Sequence, residues 1–122
     1  MRFEIRYSAF NRVLFAAIGL GPDRSGVVLD GDAVWVTMGW AFRATFPRAA
    51  VRSAVRESGF VPAWGVHGGR HGSWLVNGSL AGRVRLELEP GRRARVVGFG
   101  TQLRTLRISL EQPDAFLAAL TI

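Results

Sequence analysis

The chain has 122 residues, 16 arginines against 9 acidic side chains, no lysine and a formal charge of +7. At 48% apolar and 20% charged it has a globular composition of single-domain length, which excludes intrinsic disorder and collagen-like repeats. The absence of cysteine excludes a disulfide framework, a thiol nucleophile, an iron–sulfur cluster and thiolate zinc.

At the start, Phe3, Ile5 and Tyr7 alternate with Glu4 and Arg6, the period of a strand. The most hydrophobic run, residues 13–20, has eight residues without a charge, against the roughly 20 that a membrane-spanning helix needs. Arg2, Arg6 and Arg12 ahead of it resemble the charged opening of a secretory signal. The alternation is a pattern a signal does not need, however, and no small-x-small cleavage site follows Leu20. Residues 1–25 therefore read as a short strand and an apolar helical turn packed onto the core.

From Gly26 the pattern is an antiparallel meander. Asp30-Gly31-Asp32 between two apolar runs is a hairpin signal, because glycine accepts the positive φ of a tight turn. Gly39-Trp40 separates the next pair, and in residues 41–46 Phe42, Ala44 and Phe46 share one face, Arg43 and Thr45 the other. Pro47 closes that strand. Residues 48–58 fit a helix, with Arg48, Arg52 and Arg56 four apart, or a strand with one basic face. The β-branched valines favour a helical turn at residues 47–50 followed by a strand.

Residues 59–72 hold five glycines, Pro62, Trp64 and both histidines, and read as a long loop. After a short strand at residues 73–77 comes the cleanest alternation in the chain. It places Val84, Leu86 and Leu88 inward and Arg83, Arg85, Glu87 and Glu89 outward. Pro90-Gly91 reads as the turn that ends this strand, residues 95–99 as a further short strand, and Leu106, Ile108 and Leu110 as the inward face of the last one. Pro113 and Asp114 then open a C-terminal helix over residues 113–121, with Phe116, Leu117 and Leu120 as its apolar stripe. The fold class is mainly β: a single sandwich or partly open barrel of seven to eight antiparallel strands, capped by that helix.

Seven antiparallel strands and a capping helix resemble the pleckstrin-homology-like fold, and the details resemble its bacterial members. The likeness covers roughly residues 26–121 by pattern. Its points are the Asp-Gly hairpin at residues 27–38, the turn Phe46-Pro47-Arg48, the segment Gly65-Val66-His67-Gly68-Gly69, the strand Gly82-Arg83-Val84-Arg85-Leu86-Glu87-Leu88, and the close from Leu106 to Leu120. The resemblance implies two sheets packed nearly orthogonally with a helix filling the open end, and a cytoplasmic module that binds a partner. Lipid-binding members use a long basic loop between the first two strands. Here that loop is short and doubly acidic, so headgroup recognition in that manner is not expected.

No catalytic, metal or cofactor site emerges. His67 and His71 are four apart, but Gly68, Gly69 and Gly72 oppose a helix there and no nearby carboxylate offers a third ligand. No G-x-S-x-G turn, P-loop lysine or G-x-G-x-x-G opening is present. The remaining candidates are aromatic and basic: Trp35, Trp40, Trp64 and Trp74, with Arg43, Arg52, Arg56, Arg70, Arg83, Arg85 and Arg107 on wet faces or the rim. They predict a non-enzymatic interaction module with a protein or peptide partner; a homodimer is compatible with it. Peripheral binding to anionic lipid is the second reading and nonspecific nucleic-acid binding the third. Specific nucleic-acid recognition is not expected. Glutamates beside several arginines neutralise them locally, so the +7 bears first on solubility.

Overall fold

The computed structural model describes residues 1–59, 65–68 and 70–120. Its elements are β1 (Arg2–Phe3), α1 (Ala9–Ala17), β2 (Ser25–Asp30), β3 (Ala33–Met38), β4 (Phe42–Pro47), β5 (Val51–Arg56), β6 (Gly65–Gly68), β7 (Ser73–Asn77), β8 (Arg83–Val96), β9 (Phe99–Ser109) and α2 (Pro113–Leu120). The protein is mainly β with a C-terminal helix, as the alternation predicts.

The strands form one sheet in the order β1-β2-β3-β4-β8-β9-β7-β6, with β5 pairing to β8 off that path. It does not close into a barrel. Three points differ from the expected meander. Within residues 59–72, read as a loop, Gly65–Gly68 form β6, paired antiparallel to β7. The β7–β9 pair is parallel, so the sheet is mixed rather than wholly antiparallel. And Pro90-Gly91 does not end a strand: β8 runs through it, with the register breaking between Glu87 and Arg92. A proline, lacking an N–H, is tolerated at such an irregularity.

That break organises the molecule. The first half of β8 pairs with β5, Val84 opposite Arg56 and Leu86 opposite Ala54. The second half pairs with β4, Ala94 opposite Ala44 and Val96 opposite Phe42. One strand thus serves two neighbours on the same side and turns the sheet about the core. The β8–β9 turn is Val97-Gly98, where the expected residue 95–99 strand is interrupted.

Phe42, Phe46, Leu86, Leu103, Leu106, Ile108 and Phe116 are fully buried in the core. Residues 1–8 form a strap across it: Phe3 pairs with β2, Ile5 bridges Leu110 and Tyr7 bridges Gly78. Their inward side chains insert, Phe3 edge-on to Phe116 at 5.2 Å and Tyr7 edge-on to Phe15 at 5.9 Å. α2 opens on Pro113 and buries Phe116, Ala119 and Leu120. The 3₁₀ turn Arg48–Ala50 and the following β5 match the expected turn and strand.

The N-terminal helical segment differs in place and orientation. α1 starts at Ala9, where Ser8 caps it by accepting from the Asn11 N–H at 3.3 Å, and ends before Gly19, at φ +82. Only Asn11 and Phe15 are buried. Val13, Leu14 and Ile18, in the apolar run expected on the core, are exposed, and so is Phe10.

Candidate functional site

Of the residues singled out from sequence, Trp35, Trp40 and Arg43 come together on the outer face of β3, β4 and the second half of β8. Arg43 stands opposite Thr37 on one side and Arg95 on the other; Trp35 stands opposite Thr45. Arg93 joins them from β8, and a depression of about 440 Å³ lies between Arg43, Thr45, Arg93, Ala94, Arg95 and Gly100. Two like charges directly across a ladder repel each other, so the Arg43–Arg95 pair destabilises the sheet locally unless an anion lies near it.

Trp40 caps one end of this face. Gly39 takes φ +51 with its Cα against the Gly19 carbonyl, so a β-carbon there would collide with backbone. The Gly39 N–H donates to the Arg24 carbonyl at 2.9 Å. The turn throws Trp40 outward, and its indole Nε1 donates to the Ile18 carbonyl at 2.7 Å while the residue stays 57% exposed. Arg24, Arg43 and Arg95 surround it in two smaller depressions that share Gly39 and Trp40. Beside Arg95, whose Nη1 donates to the Gly98 carbonyl at 3.3 Å, the β8–β9 turn projects Val97 and Phe99 into solvent.

The electrostatics divide by halves of the sheet. Arg52 pairs with Glu89, Arg56 with Asp114 at 2.9 Å, Arg85 with Glu87 at 3.4 Å and Arg107 with Glu57 at 3.5 Å. These four belong to β5, the first half of β8 and the end of β9, and carboxylates balance them. Among the described residues, Arg24, Arg43, Arg93 and Arg95 make no ion pair. Residues 33–56 and 90–110 contain no acidic side chain at all.

Arg83, expected on the wet face, is instead 1% exposed. It lies on the face opposite Val84, as alternation requires, but the chain leaving β5 covers it there. Its Nε donates to the Leu80 carbonyl at 3.0 Å, one terminal nitrogen to Glu57 at 2.8 Å and the other to the Gly59 carbonyl. All three guanidinium nitrogens donate within the fold, so Arg83 is not on the exposed face where it was expected. Trp74 is half-buried, and its Nε1 donates to the Gln102 carbonyl at 3.2 Å. Trp64 and the side chain of Arg70 lie outside the described residues.

Sequence reasoning missed Arg24, Arg93, Arg95, Val97 and Phe99. The acid-free segment 90–110 was a usable signal for Arg93 and Arg95, whereas Arg24 directly follows Asp23 and had none. The turn residues were hidden because Val97 takes φ +52, a conformation in which a β-branched residue is not expected.

His67 on β6 and His71 in the turn Arg70–Gly72 are both exposed, and no group of three metal-binding side chains occurs among the described residues. Among the described residues, the one perturbed titration is at Tyr7. Burial raises its phenol pKa, opposed by hydrogen bonding to Ser25 and the Arg12 charge, while its hydroxyl donates to the Leu20 carbonyl at 2.6 Å. No helix among the described residues is long and apolar enough to cross a membrane. Searches against family models, curated proteins and solved structures returned no match to this chain.

Proposed function

We propose that the protein is a non-enzymatic module that docks peripherally on an anionic lipid bilayer through Trp40, the Val97–Phe99 turn and Arg24, Arg43, Arg93 and Arg95. The observation that carries this reading is the ring of arginines lacking acidic partners around projecting apolar side chains. Tryptophan sits well at a bilayer interface, one edge apolar and the other able to hydrogen-bond. Each arginine close to an anionic surface adds about 1 kcal/mol of attraction.

The same arginines would attract nucleic acid, and Trp35 and Trp40 offer stacking surfaces. Val97 and Phe99 favour the bilayer: they gain by leaving water for acyl chain and gain little beside a phosphate backbone. A peptide partner has no comparable support, because the face is a sheet surface with shallow depressions rather than an apolar groove. The strand-rich body with a closing helix supports the pleckstrin-homology-like resemblance, while the parallel β7–β9 pair departs from it. The proposed face lies on the sheet and its turns, not on the acidic Asp30–Asp32 hairpin.

Co-sedimentation with vesicles containing rising fractions of phosphatidylglycerol, alongside a single-stranded oligonucleotide shift assay, tests the reading. Binding should rise with anionic lipid, fall with added salt, and exceed oligonucleotide binding at physiological ionic strength. Failure to sediment with anionic vesicles even at low salt contradicts it.

A further inference from the structure

α1 presents its apolar stripe to solvent rather than to the core. Phe10, Val13, Leu14, Ala17 and Ile18 recur at helical spacings of three and four along one face, and all are exposed, Phe10 at 75% and Val13 at 72%. The body holds the helix from the other face. Phe15 packs on Tyr7, the Asn11 side-chain amide donates to the Gly78 carbonyl at 3.0 Å, and Arg12 reaches Glu111 at 3.5 Å. The helix is thus firmly docked with its hydrophobic side outward. Soluble monomers rarely expose so continuous an apolar surface without a use for it.

We infer that α1 is a second membrane anchor, lying in the interfacial plane of an anionic bilayer with Phe10, Val13, Leu14 and Ile18 among the upper acyl segments. This inference rests on the bilayer reading above. Two observations commit the stripe to that occupant. First, it is continuous with the proposed face: the carbonyl of Ile18, at the end of the stripe, accepts the indole hydrogen bond of Trp40. Second, the charge on its Trp40 side suits a negative surface: Arg24 and Arg43, beside Trp40, make no ion pair among the described residues, whereas Arg12 is balanced by Glu111. A second copy of the chain is a poorer occupant. Symmetric pairing through α1 and Trp40 would bring the unpaired Arg24 and Arg43 of both copies together, at a cost in like-charge repulsion. A docked helix with an apolar face, basic surroundings and an adjoining tryptophan is the arrangement of an interfacial anchor.

The absence of native cysteine permits a direct test. Val13→Cys carries an environment-sensitive nitrobenzoxadiazole probe, and Val55→Cys in β5 carries the same probe as a control. On phosphatidylcholine–phosphatidylglycerol vesicles, the probe at position 13 should shift to the blue and be quenched by nitroxides in the acyl chains, while the probe at position 55 should not. Independently, unlabelled Val13→Glu, at an exposed site where folding is little affected, should weaken vesicle binding by about tenfold at high salt, where the arginine contribution is screened. If the protein sediments with vesicles but the probe at position 13 remains aqueous, or Val13→Glu binds like the parent, α1 is not an anchor and the Trp40–arginine reading stands alone. If nothing sediments at low salt, both readings fall. If the probe at position 13 is shielded without vesicles and sedimentation velocity gives twice the monomer mass, the stripe belongs to a second copy and the inference is overturned.

Discussion

Arg83 and Val97 show how far a residue's environment can depart from its pattern. Arg83 obeys strand alternation and still ends fully buried, because the chain after β5 folds over that end of the face and supplies Glu57 and the Gly59 carbonyl, while the loop before β8 supplies the Leu80 carbonyl. A buried pair stabilises little relative to an apolar substitute, but breaking it strands a charge. Glu57→Ala should therefore lower unfolding stability by about 3 kcal/mol, read as a lower urea midpoint with unchanged slope. The double variant Arg83→Met/Glu57→Leu should recover much of that loss. Equal stability of Glu57→Ala and the parent would show that solvent reaches Arg83. Val97 presents the opposite case, an exposed residue in a conformation that costs about 1 kcal/mol for a β-branched side chain. Asparagine tolerates that backbone, so Val97→Asn should stabilise the fold by about 1 kcal/mol while weakening vesicle binding. A loss of both stability and binding would instead mean that Val97 serves the fold.

Among the elements, those legible in the sequence are the ones whose two faces differ chemically. β3, β4 and the first half of β8 alternate apolar with polar residues, and the structure places their apolar side in the core as read, with Arg83 the one outward residue of β8 that ends buried. The same holds for α2, which Pro113 opens and which buries Phe116. The illegible elements depend on contacts distant in sequence. Nothing local shows that Pro90-Gly91 is a break inside one long strand rather than a turn; β4 and β5, arriving from earlier in the chain, decide it by claiming different halves of β8. For α1 the apolar run was visible, but not the direction it would face. Asn11 and Phe15 dock on Gly78 and Tyr7 and turn the richer stripe outward. A hydrophobicity pattern locates an amphipathic helix without naming the phase its apolar side will meet. The candidate site shares this limit: Arg43 and Trp40 were readable as exposed, whereas their union with Arg95 arises from the register of β4 on β8, and that with Arg24 from the Gly39 N–H bond to its carbonyl.

At the scale of the whole molecule, the +7 charge resolves into two territories. One half of the sheet pairs its arginines with Glu57, Glu87, Glu89 and Asp114; the other carries arginines without acidic partners around Trp40. Long-range attraction to any polyanion depends on total charge, whereas docking depends on where the charge lies. Two double charge reversals separate these contributions, because each removes the same four units of charge. Arg43→Glu/Arg95→Glu changes the proposed face, and Arg52→Glu/Arg56→Glu changes the balanced half, where exposed ion pairs contribute at most about 1 kcal/mol each to stability. The decisive measurement is the partition coefficient of both variants and the parent on the same anionic vesicles at physiological salt. Arg43→Glu/Arg95→Glu should bind at least about 30-fold more weakly than the parent, and Arg52→Glu/Arg56→Glu only a few-fold more weakly; equal losses in the two variants would contradict a localised docking face.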